Sequence, residues 1–291
     1  MAIYRDYDQA ALDRQYDTRS DVPDYQAFFD RWAAASTAVR AAAGDAGLID
    51  VAYGPGPRDR LDIFPAGADA PVLAFIHGGY WRAFDKSYFS FLAPAINAAG
   101  ATLVTIGYPL APAVAMDDIV DAVRRAFIWL WREGAGHGIA ADRLHVTGHS
   151  AGGHLTAETM STDWTALDAA LPADLVKAGL AISGLYDLEP IRLCYLNPEV
   201  RLDAEMARRN SPIHHVPRRA GPLTVTVGGA ESDEFHRQQA DYAAAWRAGG
   251  HDLSVVDAPG HNHFTIVDLL TDPASGPFRA LMRMMGIAEP R

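Results

Sequence analysis

The run Leu144-His145-Val146-Thr147-Gly148-His149-Ser150-Ala151-Gly152-Gly153-His154-Leu155 constrains this chain more than any other. It reads as an apolar strand that turns at once into a helix of small residues, with a serine at the turn. Gly148 and Gly152 flank Ser150 in the order G-x-S-x-G, and a strand and helix packed closely around a strained turn leave room for nothing larger. The serine hydroxyl is thereby raised above the end of a sheet. Unpaired amides at the start of the following helix, with the positive end of its dipole, face any negative oxygen formed there. A serine in an ordinary strand-to-helix loop satisfies the same letters. The apolar strand before it and the Ala/Gly-rich helix after it favour the reactive reading.

The rest of the chain alternates to match. Apolar runs at Pro71 to Ile76, Ala101 to Gly107, Val176 to Ser183, Leu223 to Val227 and Leu253 to Asp257 predict strands buried in a parallel sheet. Asp85 to Ala99, Met116 to Trp131, Phe235 to Ala248 and Pro277 to Met285 predict the intervening helices. In the second of these, Met116, Ile119, Val120, Val123, Phe127 and Leu130 keep the spacing of one buried face. Leu48 to Tyr53 and Arg60 to Phe64, joined through Gly54-Pro55-Gly56-Pro57, predict an antiparallel opening pair. Those prolines, with no helix following, argue against Gly54-x-Gly56 as a dinucleotide loop.

Strands alternating with helices predict one α/β domain with a doubly wound, mainly parallel sheet over residues 46–291. Residues 1–45 carry no strand pattern. Tyr25, Phe28, Phe29, Trp32 and Ala33 recur at helical spacing, so an N-terminal helical segment is expected, either across the mouth of the domain or as an outer layer. After the sixth strand, about 184–217, Pro190, Pro198, Pro212 and Pro217 without a sustained period predict a short loop-rich insertion.

Composition closes off several functions. The formal net charge of −11 disfavours binding to a nucleic-acid backbone. Cys194 stands alone, which excludes an intramolecular disulfide framework and suits a reducing compartment; it reads as a packed apolar residue. Met1 to Ser20 lack the apolar core of a secretory signal and no apolar run is long enough to span a membrane, so a cytoplasmic protein is expected.

In open α/β sheets, reactive groups gather beyond the carboxyl ends of strands. Four such ends carry candidates here: Gly78-Gly79, Ser150, the Glu231/Asp233 loop and His263. Two adjacent residues without Cβ let the main chain turn its amides toward a ligand, as an oxyanion hole requires. Serine needs a base, and the base needs a carboxylate to fix its tautomer. Chain order permits Glu231, Asp233 or Asp187 as that carboxylate. His261 and His263 both compete for the base; spaced two apart they also suggest a metal pair, but no third ligand cluster accompanies them.

His77-Gly78-Gly79-Tyr80-Trp81, Gly148-His149-Ser150-Ala151-Gly152, Gly184-Leu185-Tyr186-Asp187-Leu188-Glu189-Pro190 and Glu234-Phe235-His236-Arg237-Gln238 together resemble the kynurenine formamidases (arylformamidases) of the α/β-hydrolase superfamily, over roughly residues 46–290. HGG-x-W is the specific part. The resemblance implies an α/β-hydrolase fold, Ser150 as nucleophile, His263 as base, and an oxyanion hole of amides around Gly78, Gly79, Tyr80 and Ala151. The family acid falls at Glu231, where its eukaryotic members carry aspartate; because glutamate is longer, Asp233 stays an alternative.

Tyr80, Trp81 and His149 are the expected substrate-pocket residues, with packing beneath the loop as the other reading for the two aromatics. The expected activity is that of a serine hydrolase of small acyl compounds, arylformamidase-like or a carboxylesterase; a ligand-binding relative without catalysis is the alternative. Neither metal nor organic cofactor is expected. The expected partner is a small-molecule ester or formamide, with no nucleic acid and no membrane, and a homodimer is a permitted assembly. Six insertion arginines, Arg192, Arg201, Arg208, Arg209, Arg218 and Arg219, could attract an anionic substrate or could form a solvated face.

Overall fold

Eight strands make one sheet in the order β1-β2-β4-β3-β5-β6-β7-β8. They are β1 (Leu48–Ala52), β2 (Arg60–Phe64), β3 (Val72–Ile76), β4 (Thr102–Ile106), β5 (Leu144–His149), β6 (Val176–Ile182), β7 (Leu223–Gly228) and β8 (Leu253–Ala258). The computed structural model describes residues 1–44 and 47–288, so the expected boundary between residues 45 and 46 lies outside the described residues. Strand β2 runs antiparallel to both β1 and β4, and all other neighbours are parallel. This is the α/β-hydrolase architecture that the sequence predicts.

β3, β4 and β5 are buried along their whole length, because helices cover both faces. Alternate residues of β3 serve opposite cores. Val72, Ala74 and Ile76 join one apolar cluster, and Leu73 and Phe75 join the other. Each of these side chains other than Ala74 contributes about 1.5–3 kcal/mol on burial. Register then decides where the site lies. Ile76 pairs with Gly148, His149 with Ile182, and Ile182 with Thr226, so the loops after β3, β5, β6 and β7 emerge side by side at one edge.

The segment ahead of the sheet forms two helices, α1 (Gln9–Tyr16) and α2 (Tyr25–Ala42). Asp8 caps α1 by accepting from the Ala11 amide. Between β3 and β6 come α3 (Ala93–Ala98), α4 (Met116–Glu133), α5 (Ala151–Ser161) and a single helical turn at Trp164–Leu167. Among the described residues no helix is long and apolar enough to cross a membrane.

Two sequence expectations change. The helix expected over Asp85 to Ala99 is two short 3₁₀ turns followed by α3. Aromatic residues break it: Phe89 is drawn into the core, and Phe91 stacks on Trp32 with its amide held by Ser36 Oγ. The insertion is less loop-like than its prolines suggest, with helices at Glu189–Leu193, Asn197–Val200 and Ala204–Arg209 and a 3₁₀ turn at Pro212–His214. Pro190, Pro198 and Pro212 stand in the first turns of these elements, where a missing amide costs nothing, so they start helices.

The elbow explains its own glycines. A Cβ on Gly152 would lie 2.0 Å from the Ile76 carbonyl oxygen, against central β3. Gly152→Ala is therefore expected to destabilise the fold by about 3 kcal/mol, through overpacking that neither strand nor helix can relax. A urea titration checks this; an unchanged midpoint would mean that α5 can move off the sheet freely.

Candidate active site

Ser150 sits between β5 and α5 with φ 59° and ψ −119°, a conformation costing on the order of 1–3 kcal/mol that its surroundings must impose. They do so through the Ser150 amide, which donates to Ile182 O at 2.8 Å, and the Ser150 carbonyl, which accepts from His154 N at 3.0 Å. Ala151 opens α5, so its amide has no intrahelical acceptor. Across from it, the loop after β3 turns at Gly79, whose φ of +107° and close approach to Ala83 O only glycine tolerates. The amides of Gly79 and Tyr80 make no backbone hydrogen bond among the described residues. Gly78, Gly79, Tyr80, His149 and Ser150 all line one cavity of about 320 Å³.

His263 enters the same cavity from the loop after β8. Its Nδ1 donates to Glu231 Oε2 at 2.5 Å, and the two side chains are almost fully buried. Glu231 is held in turn: its Oε1 accepts from Ser183 Oγ at 2.5 Å and from the Gly228 amide at 2.8 Å. A buried carboxylate with three donors is fixed in position, and it fixes the imidazole in the tautomer that leaves Nε2 free to accept a proton. The rings of Phe235 and His149 lie 4.8 and 4.5 Å from that of His263. Burial, and to a lesser degree the charge of His263, pushes His149 well below the usual histidine range, so it stays neutral. No hydrogen bond joins Ser150 Oγ to His263 among the described residues, a gap that substrate commonly closes.

The other carboxylates stand elsewhere. Asp233, the alternative acid, is exposed at the first residue of the helix Asp233–Ala248. Asp187 accepts from Tyr4 Oη at 3.0 Å and from the Glu189 amide at 3.1 Å. His261 gives its carbonyl to the Ala230 amide, and among the described residues it is His263, not His261, whose ring bonds the Glu231 carboxylate.

Trp81, expected in the substrate pocket, is fully buried and does not line the cavity. Its Nε1 donates to His154 Nδ1 at 3.1 Å, which turns the indole under the loop. The insertion arginines do not line it either; Arg192, Arg208 and Arg209 pair with Glu189, Glu205 and Asp117.

Several contributors were not visible in the sequence. The cavity wall includes Phe29 and Trp32 of α2 and the turn Asp17-Thr18-Arg19 after α1. The N-terminal segment thus lies across the mouth. Only the helical spacing of Phe29 and Trp32 hinted at it, and Ser183 gave no signal beyond its place at a strand end. The two outer motifs have a structural role: Gln238 Oε1 accepts from the Tyr186 and Asp187 amides at 2.6 and 2.7 Å, clamping one motif to the other.

A family model described as alpha/beta hydrolase fold matches residues 73–267. A kynurenine formamidase of Danio rerio is 34% identical over 247 residues, covering 82% of this chain and 82% of that protein. A kynurenine formamidase of Salmo salar is 33% identical with the same coverage of both. Among solved structures, a Silicibacter sp. tm1040 protein given as a candidate thioesterase superposes with a TM-score of 0.81 at 30% identity, over 92% of this chain and 97% of that one.

Proposed function

This chain belongs to the alpha/beta hydrolase family and is a serine hydrolase of the arylformamidase or carboxylesterase type, and from that premise we propose that Ser150, His263 and Glu231 form its catalytic triad and that aryl formamides are its substrates. The hydrogen bond from His263 to the thrice-held Glu231, inside the cavity that Ser150 lines, carries this reading.

His263 Nε2 takes the Ser150 Oγ proton as Oγ attacks the acyl carbon. Glu231 stabilises the imidazolium, and the amides of Gly79, Tyr80 and Ala151 receive the negative oxygen, each worth on the order of 10²–10³ in rate. The tetrahedral adduct collapses as His263 protonates the leaving nitrogen or oxygen. Water then attacks the acyl-enzyme, giving its proton to His263, and the acid departs with Ser150 restored.

Phe29, Trp32, Phe84, Phe89 and Phe264 supply an aromatic wall suited to an aryl leaving group. At the rim, Arg82 pairs with Glu199, whereas Asp17 and Arg19 have no ion-pair partner among the described residues. The Arg19 guanidinium lies 5.1 Å from the centre of the Tyr25 ring, a stacking that leaves its edge free for a carboxylate. These two charges suit the amino-acid end of a kynurenine-like substrate. Arg19→Gln is expected to raise KM for N-formyl-L-kynurenine roughly ten-fold more than for p-nitrophenyl acetate, the size of one charged hydrogen bond; equal changes for both substrates would remove Arg19 from recognition. The wider reading is tested by comparing kcat/KM for N-formyl-L-kynurenine, p-nitrophenyl esters and aryl thioesters. The formamide is expected to lead, and a preference for either other class by orders of magnitude would defeat the assignment.

A further inference from the structure

Three non-glycine residues in the loop after β3, Tyr80 (φ 47°), Trp81 (φ 56°) and Phe84 (φ 69°), have left-handed backbone. A loop so strained keeps its shape only if it is tied from outside. Several ties do this: Trp81 Nε1 bonds His154 of α5, the Ala111 amide donates to the Trp81 carbonyl at 2.9 Å, Arg58 donates to the Phe84 carbonyl at 2.6 Å, and Arg82 pairs with Glu199. A further tie reaches the N-terminal segment. Tyr80 Oη donates to the Tyr16 carbonyl, the last residue of α1, at 2.7 Å, and the ring is buried. Tyr195 Oη, from the insertion, donates to the same carbonyl at 3.3 Å.

Tyr16 is itself immobilised. It is fully buried, its Oη donates to Glu234 Oε2 at 2.8 Å, and Gln238 Nε2 donates to that same Oη at 3.1 Å. Glu234 is held by a two-point pairing with Arg237, and the neighbouring Gln15 carbonyl accepts from Ser232 Oγ at 2.6 Å. The acceptor that meets Tyr80 is therefore a fixed point.

We propose that the N-terminal segment is a working part of the oxyanion hole, with the Tyr80 hydroxyl as a positioning residue that pins the Gly79 and Tyr80 amides through the Tyr16 carbonyl. The proposal rests on the reading of those amides as oxyanion donors. Tyr80 serves in two ways: its main chain faces the reacting oxygen and its side chain sets where that main chain lies. Burial holds the phenol far above its usual pKa, so it remains a neutral donor wherever the enzyme works.

The test compares three single variants of the full chain. Tyr80→Phe keeps the ring and removes the tie. It is expected to lower kcat about ten-fold with KM within about two-fold, and to weaken benzeneboronic acid, whose adduct with the serine mimics the tetrahedral intermediate, by about the same factor. Tyr195→Phe, which removes the longer bond, is expected to give a smaller loss of the same kind. Tyr4→Phe removes another hydroxyl tie of the N-terminal segment, to Asp187, that does not reach the loop; it is expected to lower Tm yet leave kcat and boronate affinity within about two-fold. Wild-type kcat and boronate affinity in Tyr80→Phe would overturn the proposal, as would an equal loss in Tyr4→Phe, which would mean that general loosening is responsible. Turnover surviving in Ser150→Ala would instead defeat the underlying triad reading.

Discussion

Ser150→Ala is expected to lower kcat by on the order of 10⁶-fold, the scale on which loss of a serine nucleophile is felt when base and acid are left with nothing to activate. The residual rate reflects binding and the oxyanion amides. Stability is expected to stay close to wild type, because the Ser150 side chain makes no capping hydrogen bond and the strained backbone is fixed by main-chain partners on β6 and α5. A fluorophosphonate should add one mass increment to the wild-type protein and none to the variant. Labelling that persists in Ser150→Ala, or turnover reduced less than about a hundred-fold, would move the nucleophile elsewhere.

The second large effect belongs to the acid. Glu231→Gln is expected to reduce kcat by about 10⁴-fold. A neutral amide cannot stabilise the imidazolium, and its NH₂ turned toward Nδ1 forces the proton onto Nε2, where it blocks proton uptake from serine. The donors Ser183 and Gly228, which both meet the other oxygen, hold the amide in that orientation. Asp187→Asn and Asp233→Asn are expected to keep kcat within about two-fold, one carboxylate being occupied by Tyr4 and the other facing solvent. Steady-state kinetics on the three purified variants decide the matter: a collapse in Asp187→Asn with Glu231→Gln active would reassign the acid.

Much of this fold is written in local pattern. The strands are continuous apolar runs because helices cover both faces of the sheet, and α4 declares its buried side through the spacing of Ile119, Val123, Phe127 and Leu130. Ser150, Glu231 and His263 were readable as candidates because each follows a strand and the parallel register gathers those ends. What stayed hidden depends on tertiary docking. Arg19 sits in a charged stretch with no pattern of its own, and it reaches the cavity only because α1 packs against the helix Asp233–Ala248. Trp81 misled for a related reason: adjacency to Tyr80 in sequence says nothing about which side of a left-handed turn each ring takes. The insertion prolines were ambiguous since one residue type both breaks helices and begins them.

The docking of α1 and α2 also has a consequence for how the enzyme comes into being. Tyr16 meets Glu234 across 218 residues of chain, and Trp32 meets Asp268 across 236. Seven strands of the sheet separate the first pair in sequence, and all eight separate the second. Closing loops of that length costs conformational entropy that the contacts at their ends must offset. Enclosing the cavity therefore needs the whole stretch from Tyr16 to Asp268 in place, whereas the strained serine needs only its neighbours on β6 and α5.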